Sequence, residues 1–323
     1  MIVSGAVTAP RPVYLDCDPG VDDALALAYL LASPEVDLVG IGSVHGNVSA
    51  VDGARNALDL LALAGRHDVP VAVGAAEPLA GGFAGGVPHI HGSVGIGNVE
   101  LPRSVAEPLA EPAAHLLVRL AHEHPGLHVL AIGPLTNLAA ALRLDPDLVH
   151  RVDGVTVMGG AALVPGNLSP VVEANIGNDP EAAAAVLAAP WDITLVPMDV
   201  TMSAVLEESD REVLLRSDRP VAQALGAMLD LYHEFYVGTY GRRCCALHDP
   251  LAAALAVGGV AAARAPVVSV VVDDTIGPGR GQTICDLRGE RLGYPAQPGA
   301  HCRVVLELAE DFAPHLMGRL LSL

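Results

Sequence analysis

With 323 residues, 51% of them hydrophobic, the chain can bury a large core, and its 34 Gly and 25 Pro are scattered among turns, which excludes a low-complexity or fibrous protein. Lys+Arg 18 against Asp+Glu 37 leaves a formal charge of -19, which repels nucleic-acid backbones and anionic membrane surfaces and excludes both as partners. Five cysteines (Cys17, Cys244, Cys245, Cys285, Cys302) are odd in number and lack paired metal-ligand spacing, so neither a disulfide framework nor a zinc site is expected.

Reduced cysteines fit a cytoplasmic protein. Met1 to Pro12 has neither the basic start nor the apolar centre of a signal peptide, and no apolar run is long enough to span a bilayer. No linker-like break appears, so residues 1–323 read as a single domain.

The first element is the apolar run Val13-Tyr14-Leu15, closing on Asp16-Cys17-Asp18-Pro19-Gly20-Val21-Asp22-Asp23 and then on Ala24 to Ala32, apolar on every face. This is the pattern of a buried strand, a tight turn and a buried helix. Strand alternation points Asp16 and Asp18 the same way, and Asp22 and Asp23 fall where the helix dipole favours negative charge, so four acids are expected in one corner. A lone Asp there would be an N-cap or a solvated turn residue. Four together repel, so some take up protons or a cation sits among them, and the apolar flanks favour the cation. An all-oxygen set suits a hard divalent ion, calcium or magnesium, and open α/β sheets bind ligands beyond the carboxyl ends of their strands.

The unit then repeats. Val36 to Val44 predicts a strand, followed by a helix with a capping-box-like start at Ser49 and Asp52 and a stop at Gly65. Val69 to Val73 predicts a third strand, and the Gly-rich stretch from Gly81 to Asn98, with His89-Ile90-His91-Gly92, reads as a long loop, either functional or solvated. Pro112 to His124 is helical, Leu127 to Ile132 a strand, and Gly133-Pro134-Leu135-Thr136-Asn137 turns into another helix. Val155 to Met158 predicts a strand, then a loop from Ala161 to Asn178 carries Asn167, Glu173 and Asn175, and Asp179-Pro180-Glu181 starts a helix before the strand Ile193 to Val196. These units predict an α/β fold: a mainly parallel sheet covered by helices on both faces, with the site at the strand C-terminal ends.

After Thr201 helices are expected over Glu207 to Arg216 and Pro220 to about Tyr236, where Tyr232 and Tyr236 share a face. His248-Asp249-Pro250 lies at a helix entrance, and the tail reads as strands and hairpins with a last strand Val304 to Leu308 and a final helix.

Asp16-Cys17-Asp18-Pro19-Gly20-Val21-Asp22-Asp23-Ala24 resembles the signature of the inosine-uridine-preferring nucleoside hydrolases. The resemblance extends in order through Gly46-Asn47, His89-Ile90-His91-Gly92, Gly133 to Asn137, Met158-Gly159-Gly160, Glu173-Ala174-Asn175 and His248-Asp249-Pro250. It implies a nucleoside hydrolase-like α/β fold and calcium-dependent hydrolysis of the N-glycosidic bond of ribonucleosides, in nucleoside salvage, by a homodimer or homotetramer. It also implies Asp18, Asp23, Asp249 and the main-chain carbonyl of Ile132 as calcium ligands. Asp22, Asn47, Met158, Asn167, Glu173, Asn175 and Asp249 would surround the ribose, with His248, His91 and Tyr236 toward the base.

The chemistry is consistent with that assignment. Departure of a base leaves an oxocarbenium-like sugar, which needs nearby negative charge, a water on the opposite face and a proton for the leaving nitrogen. Asp18 is the expected base toward a calcium-held water, and His248 the expected acid. Two departures from the family pattern stand out. Ala174 replaces an aromatic that stacks on the base in other members, which leaves purine-versus-pyrimidine preference open, and the stretch from Met158 to Asn167 is one residue longer than the family spacing.

Two other readings compete. Asp-x-Asp after a first strand also resembles the haloacid dehalogenase phosphohydrolases, although that pattern expects a different run after the second Asp and a distinctly placed Lys. A nucleoside-binding protein with a structural ion is the non-enzyme alternative, and the presence of both Asp18 and His248 counts against it.

Overall fold

The computed structural model describes residues 9–323; the leader expectation for Met1 to Pro12 therefore falls mostly outside the described residues. The first units are β1 (Arg11–Cys17), α1 (Val21–Leu31), β2 (Val36–Ser43), α2 (Ala50–Leu63) and β3 (Val71–Val73). After them come α3 (Pro88–His91), α4 (Ala113–Glu123), β4 (His128–Ala131), α5 (Thr136–Leu144), β5 (Gly154–Met158), α6 (Ala174–Asn178), α7 (Pro180–Ala188) and β6 (Ile193–Val196). A more helical part follows: α8 (Met198–Thr201), β7 (Val205–Glu207), α9 (Glu208–Leu215), α10 (Pro220–Tyr240), β8 (Cys244–Ala246) and α11 (His248–Ala256). The tail holds β9 (Ala262–Arg264), β10 (Val267–Val268), β11 (Val270–Val272), β12 (Thr283–Cys285), β13 (Cys302–Val304), β14 (Glu307–Leu308) and α12 (Ala313–Leu320).

Eight strands form one sheet in the order β10-β13-β6-β5-β4-β1-β2-β3, parallel throughout except for β10 against β13. Alternation along β1 divides the core. Val13, Leu15 and Cys17 join the layer formed with α1, α2, α10, α11 and α12, whereas Tyr14 faces the layer of α4, α5 and α7. Helix α1 is buried along nearly its whole length because it lies under α10, α11 and α12, which is why its sequence shows no polar face. Among the described residues no helix is long and apolar enough to cross a membrane.

The structure departs from the sequence reading in several places. The stretch from Gly81 to Asn98 is not solvated throughout, since it contains α3 and buries His91. The loop from Ala161 to Asn178 ends in α6, because the Glu173 carboxylate accepts from the Asn175 and Ile176 amides and caps a helical turn. Helix α10 runs on to Tyr240 and stops at Gly241, whose positive φ of 69° closes it. The strand expected from Val304 to Leu308 is two: β13 lies in the main sheet, while β14 leaves it to pair with β9.

Candidate active site

The site lies where β1, β2, β4 and β5 end side by side. The acidic corner forms as the sequence implies, with one exchange of members. Alternation holds through Cys17 and then lapses, so Asp16 stays on the Tyr14 face, its Oδ2 accepting from Tyr14 Oη at 3.2 Å and from Asn137 Nδ2 at 3.0 Å. The fourth acid of the corner is instead Asp249, at the start of α11. One carboxylate oxygen each from Asp22, Asp23 and Asp249 lie within 4.8 Å of one another, all three residues being buried.

Asp18 adjoins this trio. Asp23 reaches back from the first turn of α1, its Oδ1 accepting from the Asp18 amide at 3.1 Å and its Oδ2 from the Gly20 amide at 2.8 Å. Asp18 Oδ2 accepts from the Asn47 amide at 2.7 Å, whereas Asp18 Oδ1 and Asp22 Oδ1 are buried without any hydrogen-bond partner. Two glycines leave room for the Asp18 carboxylate: a Cβ on Gly46 would overlap its Oδ2, and one on Gly133 would come within 2.8 Å of its Oδ1. Gly20 is equally constrained, since its Cβ would meet His91 Nδ1 at 2.7 Å and Asn47 Nδ2 at 2.8 Å. Gly20→Ala is therefore expected to cost about 1–3 kcal/mol of stability, the usual range for overpacking, measurable by urea unfolding against the wild type.

Burial sets the electrostatics. It pushes the Asp18 carboxyl well above the usual range, with the charge of Asp23 adding to it, and pushes Asp249 up with help from Asp22, Asp23 and Asp18. Burial and the Asp22 charge push Asp23 up to about 7 despite the amides of Gly20 and Asp18. Carboxylates this close and this dry take up protons or gather around a cation. The two unpartnered oxygens and the all-oxygen donor set fit a hard divalent ion.

On the β5 side, Asn175 Nδ2 donates to the Ile132 carbonyl at 2.9 Å and to the Met158 carbonyl at 3.2 Å. This brings three expected site residues together. A carbonyl has two lone pairs, so the bond from Asn175 does not bar Ile132 from facing a cation. Glu173 is buried with its carboxyl raised by burial, and it accepts from the amides of Gly160, Asn175 and Ile176. Asn167 stays on the exposed loop, its Oδ1 accepting from the Ala174 amide at 2.9 Å, and Asn47 is half-buried with its Nδ2 3.3 Å from Asp23 Oδ2.

Aromatic and imidazole groups form the remaining wall. His91 Nδ1 accepts from the Val21 amide at 3.1 Å, which leaves its proton on Nε2, so the 3.8 Å approach of Nδ1 to Asp22 Oδ1 is not an ion pair. Burial lowers the pKa of His91, as it does for His248, with the Asp22 charge opposing in both. His248 is held at both ring nitrogens, Nδ1 2.7 Å from Thr201 Oγ1 and Nε2 2.7 Å from Tyr236 Oη. Tyr232 Oη donates to Asp22 Oδ2 at 2.9 Å, and its ring meets those of His91 at 5.2 Å and Tyr236 at 5.1 Å. Sequence reasoning did not assign roles to Tyr232 or Thr201. The i, i+4 spacing to Tyr236 was a usable signal for Tyr232, whereas Thr201 has no local signal because its partner is 47 residues away.

The family model described as inosine-uridine preferring nucleoside hydrolase matches residues 13–313. The inosine-uridine preferring nucleoside hydrolase of Leishmania major is 36% identical over 314 residues, covering 94% of each chain. Uridine nucleosidase 1 of Arabidopsis thaliana is 38% identical over 240 residues, 74% of this chain and 71% of that one. The purine-preferring ribonucleoside hydrolase from Gardnerella vaginalis superposes with a TM-score of 0.85 at 32% identity, covering 97% of both chains. The phosphohydrolase alternative also lacks its expected Lys, because all 18 basic residues counted as Lys+Arg are arginine. By its sequence, its sheet and its acidic corner alike, this chain belongs to the inosine-uridine preferring nucleoside hydrolase family and is an N-glycosyl hydrolase of ribonucleosides.

Proposed function

We propose that the chain releases ribose and free base from ribonucleosides with a calcium ion held by Asp18, Asp23, Asp249 and the Ile132 carbonyl, Asp18 acting as base and His248 as acid. The observation that carries this reading is the buried acidic corner with its two unpartnered oxygens, set beside a histidine held at both nitrogens. Bound there, the ion would offset the crowded negative charge and order the attacking water. Asp18 Oδ1, free of protein partners, accepts the proton of that water, while the Asn47 amide on Oδ2 keeps the carboxylate from rotating. The remaining negative charge of Asp22 and Asp249 stabilises the oxocarbenium-like sugar. His248 delivers a proton from Nε2 toward the leaving base, directly or across the Tyr236 hydroxyl that it meets.

Asp22, Asn47, Met158, Asn167, Glu173, Asn175 and Asp249 hold the ribose hydroxyls in this reading, and His91 and Tyr236 adjoin the base. Ala174 at the first position of α6 offers the base no ring, so recognition is tight for the sugar and loose for the base. A 2'-deoxynucleoside leaves a buried hydroxyl-binding group unpaired, which costs roughly 1–3 kcal/mol, or about 10- to 10²-fold in rate. Inosine, uridine and their 2'-deoxy forms, scored for free sugar with and without a chelator, test the proposal. Deoxynucleosides cleaved as fast as ribonucleosides, or rates untouched by exhaustive chelation, would contradict it. Action in cytoplasmic nucleoside salvage as a homodimer or homotetramer is part of the same proposal, and sedimentation at working concentration tests the assembly.

A further inference from the structure

Helix α8 reaches His248 through Thr201 at Nδ1, the ring nitrogen that Tyr236 does not meet. Thr201 is fully buried, and the one side-chain hydrogen bond of its hydroxyl among the described residues goes to His248 Nδ1 at 2.7 Å. The backbone of the same segment is also tied to α11, since the Leu247 amide donates to the Ala204 carbonyl at 2.8 Å and the Ala204 amide to the Thr201 carbonyl. Both ends of the His248 imidazole are thus fixed by hydroxyls, Thr201 behind and Tyr236 in front. A ring that gives up the proton on Nε2 must keep the one on Nδ1, because a neutral imidazole carries a single N–H. The ring is buried away from bulk water, and Thr201 Oγ1 already occupies the hydrogen-bonding position at Nδ1. An acceptor behind the ring is therefore required.

We propose that Thr201 is the positioning residue of the general acid: its hydroxyl accepts the Nδ1–H of His248, fixing the ring plane and the tautomer that leaves Nε2 as the proton-delivering atom. This rests on the reading of His248 as the acid. A partner behind a catalytic or ligating imidazole commonly sets its tautomer. A hydroxyl suits the task because it stays neutral, adding no charge next to an already acidic corner.

Thr201→Val keeps the shape and removes the hydroxyl, so it separates packing from hydrogen bonding. Inosine and uridine, whose bases leave poorly as anions, should slow by roughly 10- to 10²-fold in kcat with KM little changed, the scale of losing a buried hydrogen bond to the acid. p-Nitrophenyl riboside, whose phenolate leaves without a proton, should keep most of its rate, and Thr201→Ser should restore most of the loss on inosine. Equal losses on all substrates would mean that Thr201 only packs, and no loss would mean that it does nothing for the acid; either overturns the proposal. Should Thr201→Val fail to fold, ¹⁵N NMR of the wild-type imidazoles decides, with His248 assigned by the signal missing in His248→Ala. A protonated Nδ1 in the neutral ring supports the role, and a bare Nδ1 with the proton on Nε2 overturns it. If His248→Ala itself shows no dependence on the leaving group, the acid reading fails; if it does and Thr201→Val does not, only the role of Thr201 fails.

Discussion

Asp18→Asn is expected to lower ribose release from inosine and uridine by at least about 10³-fold while the protein stays folded. Two losses combine. The proposed base toward water is gone, and a missing general base alone removes roughly 10²- to 10⁴-fold. The acidic corner also loses one charge, which weakens its hold on a divalent cation. Stability should move the other way in the chelated protein, because burial and the Asp23 charge raise the Asp18 carboxyl and an amide at that position carries no such burden. Wild type should melt higher with calcium than with chelator, and that difference should shrink in Asp18→Asn. The sign with pH follows from the same groups. Folded-state values near 7 for Asp16 and Asp23 lie above the value of about 3.9 for an unfolded Asp. These two groups hold more protons in the folded state, so their contribution to the stability of the chelated protein is greatest in acid and is lost as pH rises from about 4 to about 7. Full activity of Asp18→Asn after exhaustive chelation, or a calcium-dependent melting shift equal to wild type, would sink this assignment.

Much of that corner was legible because Asp18, Asp22 and Asp23 sit within six residues around one turn, where strand and helix geometry dictate what they face. Asp16 was misread for an equally local reason: its strand ends at Cys17, so the same-side rule does not carry across to Asp18, and Tyr14 and Asn137 hold Asp16 on the far face of the sheet. Asp249 entered only through the family resemblance, since nothing near it in the chain points to β1. Its approach depends on α11 packing against α1, a contact over more than 200 residues of sequence. His91 shows the limit of composition. A Gly-rich stretch leaves functional and solvated readings equally open, and what decides between them is distant in sequence: the Val21 amide and the Tyr232 ring draw this histidine into the core. The alternating βα rhythm, by contrast, is a property of each segment separately, and it sufficed for the parallel sheet with its two helical layers. In the tail, β11 and β12 form the local antiparallel pair that a hairpin reading expects, whereas β9 with β14 and β10 with β13 pair across long stretches of sequence, which no local pattern encodes.

His248→Ala is the prediction that separates catalysis from architecture. A purine or pyrimidine leaves poorly as an anion, so loss of a positioned acid should slow inosine and uridine by roughly 10²- to 10⁴-fold, which is about 3 to 5 kcal/mol of barrier. The ring is held in one orientation, Nε2 meeting the Tyr236 hydroxyl and Nδ1 the Thr201 hydroxyl, both at 2.7 Å, which is compatible with the proposed role. The competing possibility is that His248 orders only the entrance of α11, immediately before Asp249 in the acidic corner. Removing it would then disturb the carboxylates and the cation, and every substrate would suffer alike. p-Nitrophenyl riboside distinguishes the two, because its phenolate is stable without a proton while its ribose still needs the acidic corner. The acid role requires that His248→Ala retain most of the wild-type rate on this substrate and lose it on inosine. Burial lowers the pKa of His248 and the Asp22 charge opposes that, so the protonated form is favoured in acid, and kcat for inosine should fall on the alkaline side in wild type. In His248→Ala that alkaline limb should disappear, and equal losses on inosine and p-nitrophenyl riboside with the limb intact would assign His248 to architecture instead.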